Sequence, residues 1–181
     1  MAVINIKDLS TYKAEQVNHD DINKKAKRHK RLDPSEWPIL DFKWDLNFDA
    51  QRFALDGYKI ENFQKDFPRG FCLGWVLLQE LDDKLCKHNR RERHELWKVG
   101  NPDKLARAIE YICRNNLITP PLVAPIPEQN LVCLKGGNHR YTVAKFSYQK
   151  CLPIYIEPEN CESINSILNI YWDLKNYRSD Y

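Results

Sequence analysis

The residues best suited to chemistry in this chain stand together in Lys135-Gly136-Gly137-Asn138-His139-Arg140. The apolar run from Asn130 to Leu134 enters this Gly-Gly turn, and a helix-compatible stretch from His139 to Gln149 leaves it. A strand, a glycine turn and a helix start make a cradle for an anion. Glycine lets backbone approach a ligand closely, and the first N–H groups of a helix lack partners within the helix. Those donors and the positive end of the helix dipole favour a phosphate. Lys135, His139 and Arg140 add side-chain donors. Gly-Gly also marks ordinary turns, however, and His-Arg behind it also suits a solvated helix start.

The elements on either side must hold this turn. Asn101-Pro102 reads as a helix cap with proline in the first turn. Leu105, Ala108, Ile109 and Ile112 then recur at helical spacing as far as Asn115-Asn116. The Thr119-Pro120-Pro121 step cannot extend a helix. Leu122 to Ile126 is expected as a strand, Pro127 to Asn130 as a turn, and Asn130 to Leu134 as the return strand. After the helix behind the glycines, Leu152 to Ile156 forms another strand.

That order of elements, with these residues, resembles the ParB/sulfiredoxin superfamily. The matching pieces are Asn116-Leu117-Ile118-Thr119-Pro120, Leu122-Val123-Ala124-Pro125-Ile126, Gly137-Asn138-His139-Arg140 and Leu152-Pro153-Ile154-Tyr155-Ile156. The resemblance covers residues 105–156. It implies an α+β fold with a small mixed sheet flanked by helices. It also implies a nucleotide site, with Lys135, Gly136, Gly137, Asn138, His139 and Arg140 around the phosphates of ATP or another nucleoside triphosphate, and Mg²⁺ as an accompanying ion. Sulfiredoxins carry a cysteine where this chain has Asn138, and an amide cannot replace a thiolate nucleophile. Partition proteins of the family continue into helix-turn-helix and dimerisation regions. Here Ser163 to Tyr177 reads as one core-docking helix, with Ile164, Ile167, Leu168, Tyr171 and Trp172 on one face. A small stand-alone member is expected.

Under that resemblance Arg140 stabilises phosphate charge. His139 is a general base or a phosphate donor, and Glu128 on the hairpin turn is its carboxylate partner. Three functions stay open. One is a nucleotide-hydrolysing, DNase-like protein linked to plasmid or other mobile DNA. Another is a small-molecule kinase of the free serine type. The third is a non-catalytic protein that presents aromatics such as Trp37 and Trp97 to a protein partner.

Charge and composition bound these readings. The 181 residues carry a net charge of only +3, but lysine and arginine are unevenly spread. Lys24, Lys25, Lys27, Arg28, Lys30 and Arg31 form a dense run that suits a DNA backbone or a solvated surface. Residues 1–32 are accordingly read as a basic arm and 33–181 as a single domain. A second run, Lys87 to His94, is expected at the C-terminal end of a helix with the stripe Phe71, Trp75, Leu78, Leu81 and Leu85. Leu40 to Phe48 alternates in the manner of a half-buried strand, with Asp41, Lys43, Asp45 and Asn47 on a solvated face. The six cysteines are scattered without metal-ligand spacing, so they are expected to be reduced, mostly buried thiols of a cytoplasmic protein. No apolar run reaches the ~20 residues that would cross a bilayer.

Overall fold

The computed structural model describes residues 19–55 and 58–172. Its centre is a five-stranded mixed sheet in the order β5-β4-β6-β2-β7. The strands are β2 (Cys72–Leu77), β4 (Leu122–Ile126), β5 (Leu131–Gly136), β6 (Cys151–Ile156) and β7 (Tyr171–Trp172). Neighbours run antiparallel except β4 and β6, which are parallel. Two further strands, β1 (Lys43–Trp44) and β3 (Leu117–Ile118), make a separate parallel pair.

Side chains of a strand alternate between faces, and both faces here are covered. Leu152, Ile154 and Ile156 of β6 join Val76, Val123, Val132 and Leu134 on one face. There they meet Leu78 and Leu81 of α3 (Leu78–Lys84), Tyr141 and Ala144 of α5 (Asn138–Phe146), and Ile164 of α6 (Cys161–Asn165). Tyr155, Leu73 and Leu122 point the other way, into Phe63 of α2 (Ile60–Asp66), Phe71 and Ala54. The 3-10 segment Phe48–Ala54 lies on this second side. Beyond α5, helix α4 (Pro102–Cys113) packs Leu105, Ile109 and Ile112 against Val143 and Phe146. Helix α5 is thus clamped between the sheet and α4.

The hairpin, α4, α5 and β6 arise where local patterning places them. Asn101 caps α4, its side-chain oxygen accepting from the backbone N–H groups of Asp103 at 2.9 Å and Lys104 at 3.1 Å. Three other expectations are corrected. Cys72 to Leu77 is a central strand, and only Leu78 onward is helical. An uninterrupted apolar run covered on both faces reads alike as buried strand or buried helix. The stretch after Cys161 is a short helix followed by β7, because Tyr171 and Trp172 pair with Trp75 and Gly74 at the sheet edge. Gly74 admits the Ile170 side chain over its missing Cβ. Of the expected helix from Ser163 to Tyr177, only the part to Asn165 is helical, Ser166 to Trp172 is not, and residues 173–177 lie outside the described ones. Finally, only Lys43–Trp44 of the alternating stretch 40–48 is paired, although Phe42 and Trp44 do pack against the core.

The basic segment near the N-terminus is also more integrated than an arm. Helix α1 occupies 19–26 of the described residues and is followed by the 3-10 turn Lys27–His29. Ile22, Ala26 and His29 are buried. Arg28 and His29 both reach the buried carboxylate of Glu110 on α4, at 3.0 and 2.7 Å, and Lys30 pairs with Asp103. Residues 1–18 of the expected arm lie outside the described residues. None of the six cysteines is in a disulfide, but only Cys72 is buried and Cys151 is exposed. Trp37 is buried, and half-buried Trp97 donates from Nε1 to the Leu32 carbonyl at 2.8 Å. Neither is therefore a displayed aromatic. Among the described residues no helix is long and apolar enough to cross a membrane.

Candidate functional site

The glycine turn joins β5 to α5. Gly137 is the N-cap of α5, with a φ of 87°, a left-handed conformation that glycine adopts without the steric cost of a Cβ. No side chain caps the helix there. Each glycine is also demanded by the chain itself. A Cβ on Gly136 would overlap the Ala54 carbonyl oxygen, and one on Gly137 would lie 2.7 Å from the Pro121 Cα. The segment ending at Ala54 and the Pro121 backbone take the close approach that sequence reasoning reserved for a ligand.

The six cradle residues separate accordingly. Lys135 Nζ donates to both oxygens of buried Glu157, at 3.0 and 2.9 Å. Arg140 Nη1 donates to the Phe53 carbonyl at 3.3 Å. Asn138 and His139 instead line a cleft of about 200 Å³. Glu128 is exposed on the turn Pro127–Gln129, at the end of the β4–β5 hairpin remote from Gly136. The structure does not bring it to His139. The run 24–31 lies on α4 through Arg28, His29 and Lys30, while Lys24 and Lys27 are exposed.

Besides Asn138, His139 and Thr142, the cleft is lined by His88, Arg91, Leu96, Val99, Gly100, Asn101 and Leu105. His88 and Arg91 belong to the second basic run, expected from the sequence at a helix end. Helix α3 ends at Lys84, and a bridge from Leu85 to Val132 lays the following loop along the free edge of β5. The Cys86 N–H donates to the Val132 carbonyl at 2.8 Å. Asn89 turns inward and is buried. Its Oδ1 accepts from the Leu134 N–H at 2.9 Å, and its Nδ2 donates to Asn138 Oδ1 at 2.8 Å. A lone neutral amide inside a run of cations was the sequence signal for this loop.

Behind the loop stands Asp82, a buried carboxylate on α3. It accepts from the Tyr141 hydroxyl and pairs with Lys145 at 2.9 Å and Arg90 at 3.6 Å. Burial first, then the Asp82 hydrogen bond, push the Tyr141 hydroxyl far above its ordinary value. Tyr141 is therefore a neutral donor near pH 7.

The cleft offers imidazole, guanidinium and amide donors over an apolar patch of Leu96, Val99 and Leu105. Its lining contains no carboxylate. It therefore suits an anion. It does not suit a resident divalent metal, and the described residues hold no grouping of three or more metal-ligating side chains. Comparison with models of known protein families, with curated proteins and with solved structures returned no match.

Proposed function

We propose that this chain is a nucleotide-binding protein of the ParB/sulfiredoxin type that acts on phosphate bonds, with ATPase or DNase-like chemistry on plasmid or other mobile DNA. The observation that carries the reading is His139, in the first turn of an uncapped helix and facing a carboxylate-free cleft beside His88 and Arg91. The order α4, β4–β5 hairpin, glycine turn, α5, β6 supports it further. The ligand is ATP or another nucleoside triphosphate, its phosphates directed to the start of α5. His139 is the phosphate contact. Arg140 acts from the Phe53 side, holding the segment 48–54 against the turn. Mg²⁺ would arrive on the nucleotide, since no side chain of the cleft suits it. Exposed Lys24, Lys27 and Arg31 are the members of the first run best disposed to meet a DNA backbone.

A second reading is favoured by one observation. A cleft without a carboxylate lacks the base that a small-molecule kinase needs. That weighs against a kinase and leaves a non-catalytic, regulatory nucleotide-binding protein as the second reading. Calorimetric titration with ATP, CTP and ADP, with and without Mg²⁺, tests the common core of both readings. Micromolar binding that is lost in His139→Ala is the expected result. A folded wild type that binds none of them would remove the nucleotide reading. Phosphate release from ATP, with and without DNA, then separates an enzyme from a binding protein.

A further inference from the structure

The loop that carries His88 and Arg91 is tied to α5 and β5 by more hydrogen bonds than a solvated basic run requires. Asn89 spends its side-chain amide on β5 and on Asn138. Lys145 of α5 donates to the Arg91 carbonyl at 2.7 Å while pairing with Asp82. Arg91 Nη1 in turn donates to the carbonyls of His88 at 2.9 Å and Arg90 at 3.0 Å. Buried polar groups are tolerated when their hydrogen bonds are satisfied, and a satisfied network rigidifies what it holds. Within this one, half-buried Arg91 is tied back to its own loop by the two Nη1 bonds. Its Nη2 lies 3.8 Å from the position a Cβ would take on Gly100, at the rim of the cleft. Fixing a long cation costs side-chain entropy, which an ordinary surface arginine does not give up.

We propose that His88 and Arg91 are ligand-binding residues forming a second wall of the cleft, and that the ligand is a nucleoside di- or triphosphate whose phosphate chain reaches both this wall and His139. The inference rests on the nucleotide reading of the cleft. Donors from two separate segments, the loop and the start of α5, recognise a chain of phosphates better than a single one. The planar fork of arginine suits phosphate oxygens, and charge-assisted hydrogen bonds are the strong ones. Asn89 and Lys145 act as positioning residues, since they hold the wall and do not themselves line the cleft.

The test is calorimetry on the full chain with AMP, ADP, ATP and inorganic triphosphate. Wild type should bind ATP and triphosphate more tightly than AMP. Arg91→Ala should weaken ATP by about tenfold, the worth of one charge-assisted hydrogen bond, and leave AMP nearly unchanged. Because Arg91 also ties its own loop, His88→Gln serves as the independent variant. It should weaken ATP without shifting the melting temperature, and Arg91→Lys should recover part of the loss. If both loop variants keep wild-type ATP affinity while His139→Ala loses it, the second wall is overturned and the nucleotide site stands. If wild type binds none of the four ligands, both readings fall together.

Discussion

Asn89 and Asn138 meet amide to amide at 2.8 Å, joining the loop after α3 to the first residue of α5. The same Asn89 oxygen accepts from the Leu134 backbone N–H, so one buried side chain ties together β5, the glycine turn's helix and the loop that carries His88 and Arg91. The cleft exists because these three pieces are held in register by a residue that does not line it.

Asn89→Ala should therefore cost more than its small volume implies. It leaves the buried Leu134 N–H without its partner and takes from the half-buried Asn138 oxygen its donor. The expected loss is roughly 2–3 kcal/mol, from the penalty for stranding buried polar groups. Urea unfolding monitored by tryptophan fluorescence measures it. A variant as stable as wild type would show that water replaces the amide at no cost.

The two glycines of the turn should fail for different reasons. Gly136→Ala drives a methyl into the Ala54 carbonyl, a backbone atom that cannot rotate away, and should cost roughly 3 kcal/mol. Gly137→Ala combines a positive φ with crowding at Pro121, and about 1–2 kcal/mol comes from the backbone conformation alone. Melting temperatures of the two variants check this. If Gly136→Ala melts like wild type, the segment 48–54 does not rest on the turn.

Acid should loosen the N-terminal segment from α4. Burial by itself would raise the Glu110 carboxyl. Hydrogen bonds from His29 and Arg114, with the charge of Arg28, more than offset this and hold it below the usual glutamate range. A depressed carboxyl contributes stability that is present above its unfolded-state value, about 4.3, and that is lost as pH falls through the lower folded-state value. Glu110→Gln should lower stability at neutral pH by roughly 3 kcal/mol and flatten the acid limb of the stability–pH curve. An unchanged acid limb would assign the acid sensitivity to other carboxylates.

Lys135→Ala should leave ATP affinity within about twofold of wild type, because the ammonium is committed to Glu157. Stability should fall by about 1 kcal/mol, the usual worth of a partly exposed ion pair. A large loss of ATP affinity in this variant would mean that Lys135 leaves Glu157 for the ligand.

Sequence alone determined the stretch from Asn101 to Ile156. There, caps, prolines, glycines and apolar spacing all speak for the same local structure. Asn101 caps α4, the hairpin runs from Leu122 to Gly136, and α5 starts behind Gly137. It also marked the glycine turn as the place to look for chemistry. What it left undecided were matters of partnership between distant segments. Whether Cys72 to Leu77 was strand or helix depended on β6 and β7 lying beside it, and a buried apolar run carries no period of its own. Whether Lys135 and Arg140 were ligand donors depended on Glu157 and Phe53, which reach them only through the fold. His88 and Arg91 looked like solvated charge until the Leu85–Val132 bridge and the Asn89 amide brought them to the cleft that His139 lines. Local patterning sets backbone conformation, because that depends on near neighbours. Which side chains face a common cleft is decided by contacts between segments far apart in the chain, and only the tertiary structure supplies those.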